Sequence, residues 1–264
     1  MKKQIRGFEM AFEDTGGVGV PLLPIHGYPL DRTLWAEQRR GLANVARVIA
    51  PDLRGFGESS LPTGAVTMDT YADDVNALLD TLGVKTAVVA GLSMGGYIAF
   101  AFYRKYPERV RALIFANTKA GADSPEGKKG RDDSAMLARE KGAVAIAERM
   151  LPKMLTPKTA TERPSVAASV NAMMSRQSVD GIVAALLAMR NRPDSTPTLA
   201  QISVPTLVIT GAEDNLIPPK ESELMRDGIR GAKLATIPGA AHLSNVDQPE
   251  AFNRAVQDFL KSLP

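Results

Sequence analysis

The sequence has no cysteine among its 264 residues. Disulfide bridges, thiolate metal sites and a cysteine nucleophile are therefore excluded. Histidine is almost as scarce, since His26 and His242 are the only two. A reaction that needs an imidazole as its base has just these two candidates.

Long apolar runs and strong charge are also absent. No apolar run approaches the roughly 20 residues of a membrane-spanning helix, and the N-terminal MKKQIRGFEM lacks the apolar stretch of a signal peptide. The formal net charge is only +3. We interpret the one basic cluster, Lys128, Lys129 and Arg131, as a solvated surface turn, not a nucleic-acid patch. We expect a cytoplasmic protein that binds neither nucleic acid nor a membrane.

The most informative stretch runs from Lys85 to Pro107, KTAVVAGLSMGGYIAFAFYRKYP. Its apolar, β-rich start predicts a buried strand, and the apolar residues after Gly95 predict a buried helix. The G-x-S-x-G turn between them is typical of a nucleophile elbow, which projects a serine hydroxyl above a sheet. The alternative is an ordinary strand–helix turn in which Ser93 is incidental.

Strands and helices alternate along most of the chain, which predicts an α/β fold with a mostly parallel sheet. After an opening hairpin over residues 4–14, we predict strands at residues 20–25, 46–50, 85–90, 110–116, 206–210 and 233–237. Pro24 removes a hydrogen-bond donor from the strand at residues 20–25, and we expect a bulge at the end of that strand.

The alternation stops between Lys119 and Thr198, where alanine- and methionine-rich helical runs replace the strands. A structureless loop of that length is improbable in a compact domain. We therefore predict a helical cap at residues 119–198, inserted into a core formed by residues 1–118 and 199–264.

A serine nucleophile needs a base within hydrogen-bonding reach and an acid that orients the base. His242 follows the last predicted strand, at the edge where parallel strands place active residues. Asp214 follows the preceding strand, and this gives the order Ser93, Asp214, His242 that a nucleophile elbow uses. Glu213 is the competitor for the role of the acid.

The sequence His26-Gly27-Tyr28-Pro29 follows an early strand. Proline has no N–H, so the backbone N–H of Tyr28 is a candidate oxyanion donor, supported by His26 and Gly27. The N–H of Met94 at the start of the elbow helix is the second candidate. The alternative is a simple strand-to-helix turn.

Two further sets of residues complete the site prediction. The loop Asp52–Ser59 is interpreted as structural, with Asp52 and Arg54 tying it by hydrogen bonds. Apolar residues beside the motifs or in the insertion are the candidates for the substrate pocket: Leu92, Met150, Ile217 and Leu243.

The segments HGYP, DLRGFGES, GLSMGGY, GAEDNLIP and GAAHL, in this order, resemble the α/β-hydrolase superfamily. The closest resemblance within it is to bacterial carboxylesterases and 3-oxoadipate enol-lactonase-like proteins. It implies an eight-stranded, mostly parallel sheet flanked by helices, a helical cap after strand 6, the triad Ser93, Asp214 and His242, and no cofactor or metal. Epoxide hydrolases and haloalkane dehalogenases share the HGxP loop but carry an aspartate at the position of Ser93.

The sequence therefore predicts a serine carboxylesterase that hydrolyses small, fairly apolar carboxylic esters. Lactone hydrolysis and carbon–carbon bond hydrolysis use the same fold and stay open as alternatives. A binding protein that kept the fold without catalysis is the alternative from another class. The natural substrate and the oligomeric state are not determined by the sequence.

Overall fold

A computed structural model describes residues 1–264. Its centre is an eight-stranded sheet in the order β1-β2-β4-β3-β5-β6-β7-β8. Only β2 pairs antiparallel with its neighbours, and the pairs from β4 to β8 are parallel, so the predicted fold class is confirmed. The strands are β1 (Lys2–Ile5), β2 (Phe8–Asp14), β3 (Val20–Ile25), β4 (Ala46–Pro51), β5 (Ala87–Leu92), β6 (Val110–Ala116), β7 (Thr206–Gly211) and β8 (Lys233–Ile237).

Helices connect the parallel strands and cover the sheet. None of them combines the length and the apolar character needed to cross a membrane. They are α1 (Ala36–Gly41), α2 (Met68–Thr81), α3 (Met94–Lys105), α4 (Pro125–Met154), α5 (Pro157–Glu162), α6 (Pro164–Ser175), α7 (Val179–Arg190), α8 (Thr196–Leu199), α9 (Pro219–Gly228), α10 (Ser244–Asp247) and α11 (Pro249–Lys261).

The central strands are buried on both faces. Val88 and Ile114 belong to one apolar cluster, whereas their chain neighbours Val89 and Phe115 belong to another. Successive side chains of a strand point to opposite faces of the sheet, so each face has its own cluster. This explains why β5 and β6 read as continuous apolar runs.

Five helices, α4 to α8, lie between β6 and β7, where the sequence predicts the helical insertion. The long helix α4 is bent at Gly142, whose φ is 76°, and it packs against both α6 and α7. Lys128, Lys129 and Arg131 lie within α4, so the predicted surface turn at this basic cluster is wrong. These residues are helical because α4 begins just before them, at Pro125, where Ser124 caps the first turn by accepting a hydrogen bond from Gly127 N–H.

The predicted bulge at Pro24 is also wrong. The pairing of β3 with β5 is regular through Pro24, which lies opposite Ala90. The pairing of β3 with β4 ends two residues earlier, at Leu22. The missing N–H of Pro24 therefore costs no hydrogen bond on the β4 side.

Candidate active site

The turn from β5 into α3 has the geometry of a nucleophile elbow. Ser93, between the two elements, has φ 54° and ψ −115°, a backbone conformation that L-residues rarely adopt. A Cβ at Gly91 would collide with the carbonyl of Gly95, and a Cβ at Gly95 would collide with the carbonyl of Ile25. Only glycine therefore fits at these two positions, two residues before and two residues after the serine.

Asp214 and His242 form a buried pair. Nδ1 of His242 lies 2.9 Å from Oδ2 of Asp214, and both side chains are at most 1% exposed. The other oxygen, Oδ1, accepts hydrogen bonds from the backbone N–H groups of Leu216 and Ile217, each at 2.9 Å. Glu213, the alternative acid, is exposed, so the structure pairs the histidine with Asp214.

The electrostatics favour an ionised Asp214. Burial alone would raise the pKa of Asp214, but the hydrogen bonds from His242, the Ile217 N–H and Asn117 outweigh it and lower the pKa. An ionised acid at Nδ1 leaves Nε2 of His242 as the nitrogen that can accept a proton. Nε2 is buried and has no hydrogen-bond partner within the chain.

Asn117, directly after β6, links the acid to the histidine loop. Its Nδ2 donates to Oδ2 of Asp214 at 2.9 Å and to the carbonyl of Ala241 at 3.2 Å. Its Oδ1 accepts a hydrogen bond from the hydroxyl of Ser244 at 2.5 Å. The next residue, Thr118, donates to the carbonyl of Ser93 at 2.8 Å. Two consecutive residues thus connect all three segments that carry the predicted triad.

The loop after β3 presents the predicted oxyanion donor. The backbone N–H of Tyr28 makes no hydrogen bond within the chain, and the Tyr28–Pro29 peptide bond is cis. Met94 is the first residue of α3, where helical N–H groups lack an intrahelical partner. Both donors lie near Ser93. Met94 follows Ser93 in the chain, and the side chain of Ser93 is among the closest neighbours of Gly27, the residue before Tyr28.

His26 holds that loop from behind. Its Nδ1 lies 2.9 Å from the carbonyl of Gly27, and its Nε2 accepts the N–H of Leu53 at 3.0 Å. The ring also packs edge-on against Phe56 at 5.5 Å between centroids. Complete burial lowers the pKa of His26, so its ring is neutral at pH 7. One ring nitrogen then donates a hydrogen bond and the other accepts one.

A cavity of about 210 Å³ opens beside Ser93. Met150 and Ile217, two of the predicted pocket residues, line it. The other two do not: Leu92 and Leu243 are fully buried in the apolar cluster that packs against α11. Leu92 ends β5 with its side chain against Gly27, and Leu243 is held by its N–H, which donates to the carbonyl of Met154. The remaining lining residues are Tyr28, Tyr97, Lys119, Asp123, Arg131, Met189 and Leu216.

Charged side chains gather at this cavity around Asp123, which is 5% exposed. Arg192 Nη2 lies 2.9 Å from Oδ1, Arg131 Nε lies 3.1 Å from Oδ2, and Lys119 Nζ lies 3.7 Å from Oδ1. Burial alone would raise the pKa of Asp123, but the hydrogen bond from Arg192 and the charge of Arg131 lower it to about 2. Asp123 is therefore ionised at pH 7.

Sequence reasoning missed Asn117 and the charged group around Asp123. Asn117 had a usable signal, since it directly follows a buried parallel strand, at the edge where functional residues collect. Arg131 and Arg192 had no such signal in the sequence. They are separated by about sixty residues and come together at Asp123 only through the packing of α4 against α7.

Comparison with known proteins finds relatives that match most of the chain, including the following three. The chain is 33% identical over 229 residues to 3-oxoadipate enol-lactonase 2 of Acinetobacter baylyi, covering 87% of this chain and 84% of the relative. It is 34% identical over 259 residues to 2-hydroxymuconate semialdehyde hydrolase of a Pseudomonas species, covering 92% and 88%. Among solved structures, a thermophilic esterase from Thermogutta terrifontis with malate bound has a TM-score of 0.96 and 42% identity, covering 100% of this chain and 99% of that one.

A family model described as "alpha/beta hydrolase fold" matches residues 20–249. The match spans every parallel strand and every segment of the site described above. The three relatives above are named as a lactonase, a hydrolase and an esterase. The chain belongs to the α/β-hydrolase fold family, as its motifs predicted.

Proposed function

We propose that this hydrolase is a serine carboxylesterase for small carboxylic esters. The observation that carries the proposal is the buried Asp214–His242 hydrogen bond with an unpartnered Nε2, at the same sheet edge as an elbow serine with strained backbone. A serine hydroxyl is a weak nucleophile until a neighbouring base takes its proton.

The proposed reaction has two halves. His242 Nε2 accepts the proton of Ser93 as Oγ attacks the ester carbonyl, and Asp214 stabilises the imidazolium that forms. The N–H groups of Tyr28 and Met94 donate to the oxyanion of the tetrahedral intermediate. His242 then gives its proton to the leaving alcohol, which leaves an acyl group on Ser93. Water, activated by the same histidine, hydrolyses this acyl-enzyme.

We further propose that residues 119–198 act as the cap that shapes the substrate pocket. Met150 from α4 and Met189 from α7 line the cavity beside Ser93. The rest of the chain then forms the catalytic core. The cap supplies apolar wall on one side, which suits the acyl or alcohol part of a small ester.

Lactone hydrolysis is the second candidate. It needs the same nucleophile, base and oxyanion donors, and one relative is named an enol-lactonase. A third candidate, carbon–carbon bond hydrolysis, is supported by relatives such as the one named 2-hydroxymuconate semialdehyde hydrolase. Turnover of a panel of esters, lactones and vinylogous diketones separates the three.

The direct test is covalent labelling by a fluorophosphonate, located by mass spectrometry of the digested protein. We expect labelling at Ser93 in the wild-type enzyme and none in Ser93→Ala, with esterase kcat reduced on the order of a millionfold. Ser169→Ala, an exposed serine on α6, is the matched control and retains both. Labelling elsewhere, or a Ser93→Ala variant with a tenth of the wild-type activity, would overturn the proposal and favour a non-catalytic binding protein or another nucleophile.

A further inference from the structure

The cavity beside Ser93 has a strongly positive region that ester hydrolysis itself does not require. Lys119, Arg131 and Arg192 surround the single carboxylate of Asp123. One cation neutralises Asp123, so two positive charges remain without an anion. Such an excess is costly in a partly buried site unless a ligand supplies the missing negative charge.

The three cations differ in how many of their hydrogen-bond donors are free to bind a ligand. Arg192 is 2% exposed, and both of its terminal nitrogens are occupied: Nη1 donates to the carbonyl of Met189 and Nη2 to that of Gly121, and the guanidinium lies over the ring of Tyr97 at 4.0 Å. Arg192 therefore anchors Asp123 and acts as a structural cation. Asp123 in turn holds the other two in place.

Arg131 and Lys119 keep unused donors. Arg131 uses only Nε, in its contact with Asp123, so its two terminal nitrogens have no partner. Lys119 Nζ makes no hydrogen bond, since its nearest carboxylate oxygen lies at 3.7 Å. Both side chains are about a quarter exposed and line the cavity, so a ligand beside Ser93 can reach them.

A hydroxyl donor completes this region. The Oη of Tyr28 is buried and has no hydrogen-bond partner, and Tyr28 lines the same cavity. Burial raises the pKa of Tyr28, so the phenol keeps its proton at pH 7 and can donate it in a hydrogen bond. An unpaired buried hydroxyl indicates a missing acceptor.

We propose that Arg131, Lys119 and Tyr28 Oη form a carboxylate-binding subsite, and that the substrate carries a free carboxylate in addition to the ester or lactone bond that Ser93 attacks. The planar pair of guanidinium nitrogens matches the two oxygens of a carboxylate. The inference rests on the proposed hydrolase function and narrows its substrate class. It replaces the fairly apolar ester expected from the sequence with an anionic one.

The test compares two esters that differ only in charge. One is the mono-4-nitrophenyl ester of glutaric acid, and the other is 4-nitrophenyl 5-oxohexanoate, in which a methyl group replaces the charged oxygen. The two acyl groups have the same length and nearly the same shape. Rates without enzyme are subtracted, because the free carboxylate can attack its own ester. We expect kcat/KM of the wild-type enzyme to favour the charged ester by roughly tenfold or more, the value of a charge-assisted hydrogen bond.

Arg131→Met and Lys119→Met test the residues. We expect each to lower the charged-to-neutral ratio of kcat/KM roughly tenfold. The matched control is Arg139→Met, which removes the same charge from an exposed position on the same helix, away from the cavity. It should leave the ratio unchanged. Raising the salt concentration should lower the wild-type ratio only slightly, because a partly buried pair is weakly screened.

The outcomes separate the subsite from the hydrolase function. Turnover of the neutral ester with a wild-type ratio at or below one would overturn the subsite and leave the esterase proposal standing. A fall in ratio as large in Arg139→Met as in Arg131→Met would show that net charge, not a subsite, is responsible, and would also overturn it. No turnover of either ester, with no fluorophosphonate label on Ser93, would overturn both. The wild-type comparison decides the question even if a variant does not fold.

Discussion

Asp214 is a carboxylate whose four contacts divide between two tasks. Oδ2 faces His242 and Asn117, and Oδ1 receives two backbone N–H groups from the loop that follows. The backbone contacts fix the orientation of the carboxylate, and the ring contact fixes the histidine tautomer. The exposed Glu213 beside it can serve neither task without refolding this loop.

This contrast predicts opposite effects of two neutral substitutions. Asp214→Asn keeps the size of the side chain but favours the wrong histidine tautomer, and we expect a fall in kcat of roughly ten-thousandfold. Glu213→Gln, the adjacent control, should stay within about twofold of the wild-type kcat. Steady-state kinetics with a 4-nitrophenyl ester measures both. Near-normal Asp214→Asn together with a crippled Glu213→Gln would move the acid by one residue.

The residues that sequence reasoning identified have a signal within a few positions. Ser93 lies in a G-x-S-x-G turn, and Asp214 and His242 each follow a predicted strand. Leu92 and Leu243 were misplaced because adjacency in sequence does not determine where a side chain points: next to a turn, one residue lines the cavity and its neighbour packs into the core. The contacts that Arg131 and Arg192 each make with Asp123 depend on how the inserted helices pack, and no local pattern encodes that packing.

At the scale of elements, α4 and α7 contribute part of the wall of the cavity. Met150 and Met189 form part of its wall, whereas Met154, Met173 and Met174 are buried in the core and Met136 is exposed. Most methionines of the insertion therefore have no contact with a substrate. The two that line the cavity are flexible side chains, which can adapt to acyl groups of somewhat different shape.

A cavity of about 210 Å³ predicts a preference for short acyl chains of roughly two to six carbons. Each added methylene contributes about 0.8 kcal/mol until the cavity is full, and overpacking beyond that point costs about 1–3 kcal/mol. The measurement is kcat/KM for 4-nitrophenyl esters from acetate to palmitate. Met150→Ala should move the optimum to longer chains, while Met136→Ala, at the exposed position, should leave it in place.

Two results would contradict this prediction. A rise in kcat/KM that continues past about ten carbons would mean that the cavity opens into a longer groove. A jump in rate when the ester forms micelles would indicate a lid that opens at an oil interface, as in a lipase. That behaviour needs a broad apolar face with few charges.

The sequence predicted the elements of the core better than those of the insertion. β3, β6 and β8 have the predicted boundaries, whereas β5 begins and ends two residues later than predicted, and its last two residues, Gly91 and Leu92, still pair with β6. Buried strands between polar loops show clear edges in the sequence. The bend of α4 at Gly142 was not predicted, since a single glycine within a helical run fits a straight helix as well as a bent one.

At the scale of the whole molecule, Asp123 holds together the two ends of the insertion between β6 and β7. It follows β6, and its partners Arg131 and Arg192 come from α4 and from the segment after α7. Its pKa in the folded protein is about 2, below its ordinary value of 3.8. An acid whose pKa is lowered by folding stabilises the folded state fully above the unfolded pKa, and this contribution disappears as the pH falls through the folded pKa.

Asp123→Asn should therefore lower the free energy of unfolding at pH 7 by about 2 kcal/mol, the equivalent of the pKa shift. The difference between wild type and variant should shrink by about 1 kcal/mol between pH 7 and pH 3, because the unfolded wild-type chain binds a proton at this residue before the folded chain does. Urea unfolding at a series of pH values measures both quantities. Asp133→Asn is the control, because Asp133 lies on α4, the helix that carries Arg131, and pairs with Lys129 in an exposed contact. It should change the free energy of unfolding by less than about 0.5 kcal/mol at each pH. A wild-type–variant difference that stays constant from pH 7 to pH 3 would mean that Asp123 stabilises the fold by packing alone, with no contribution from its ion pairs to Arg131 and Arg192.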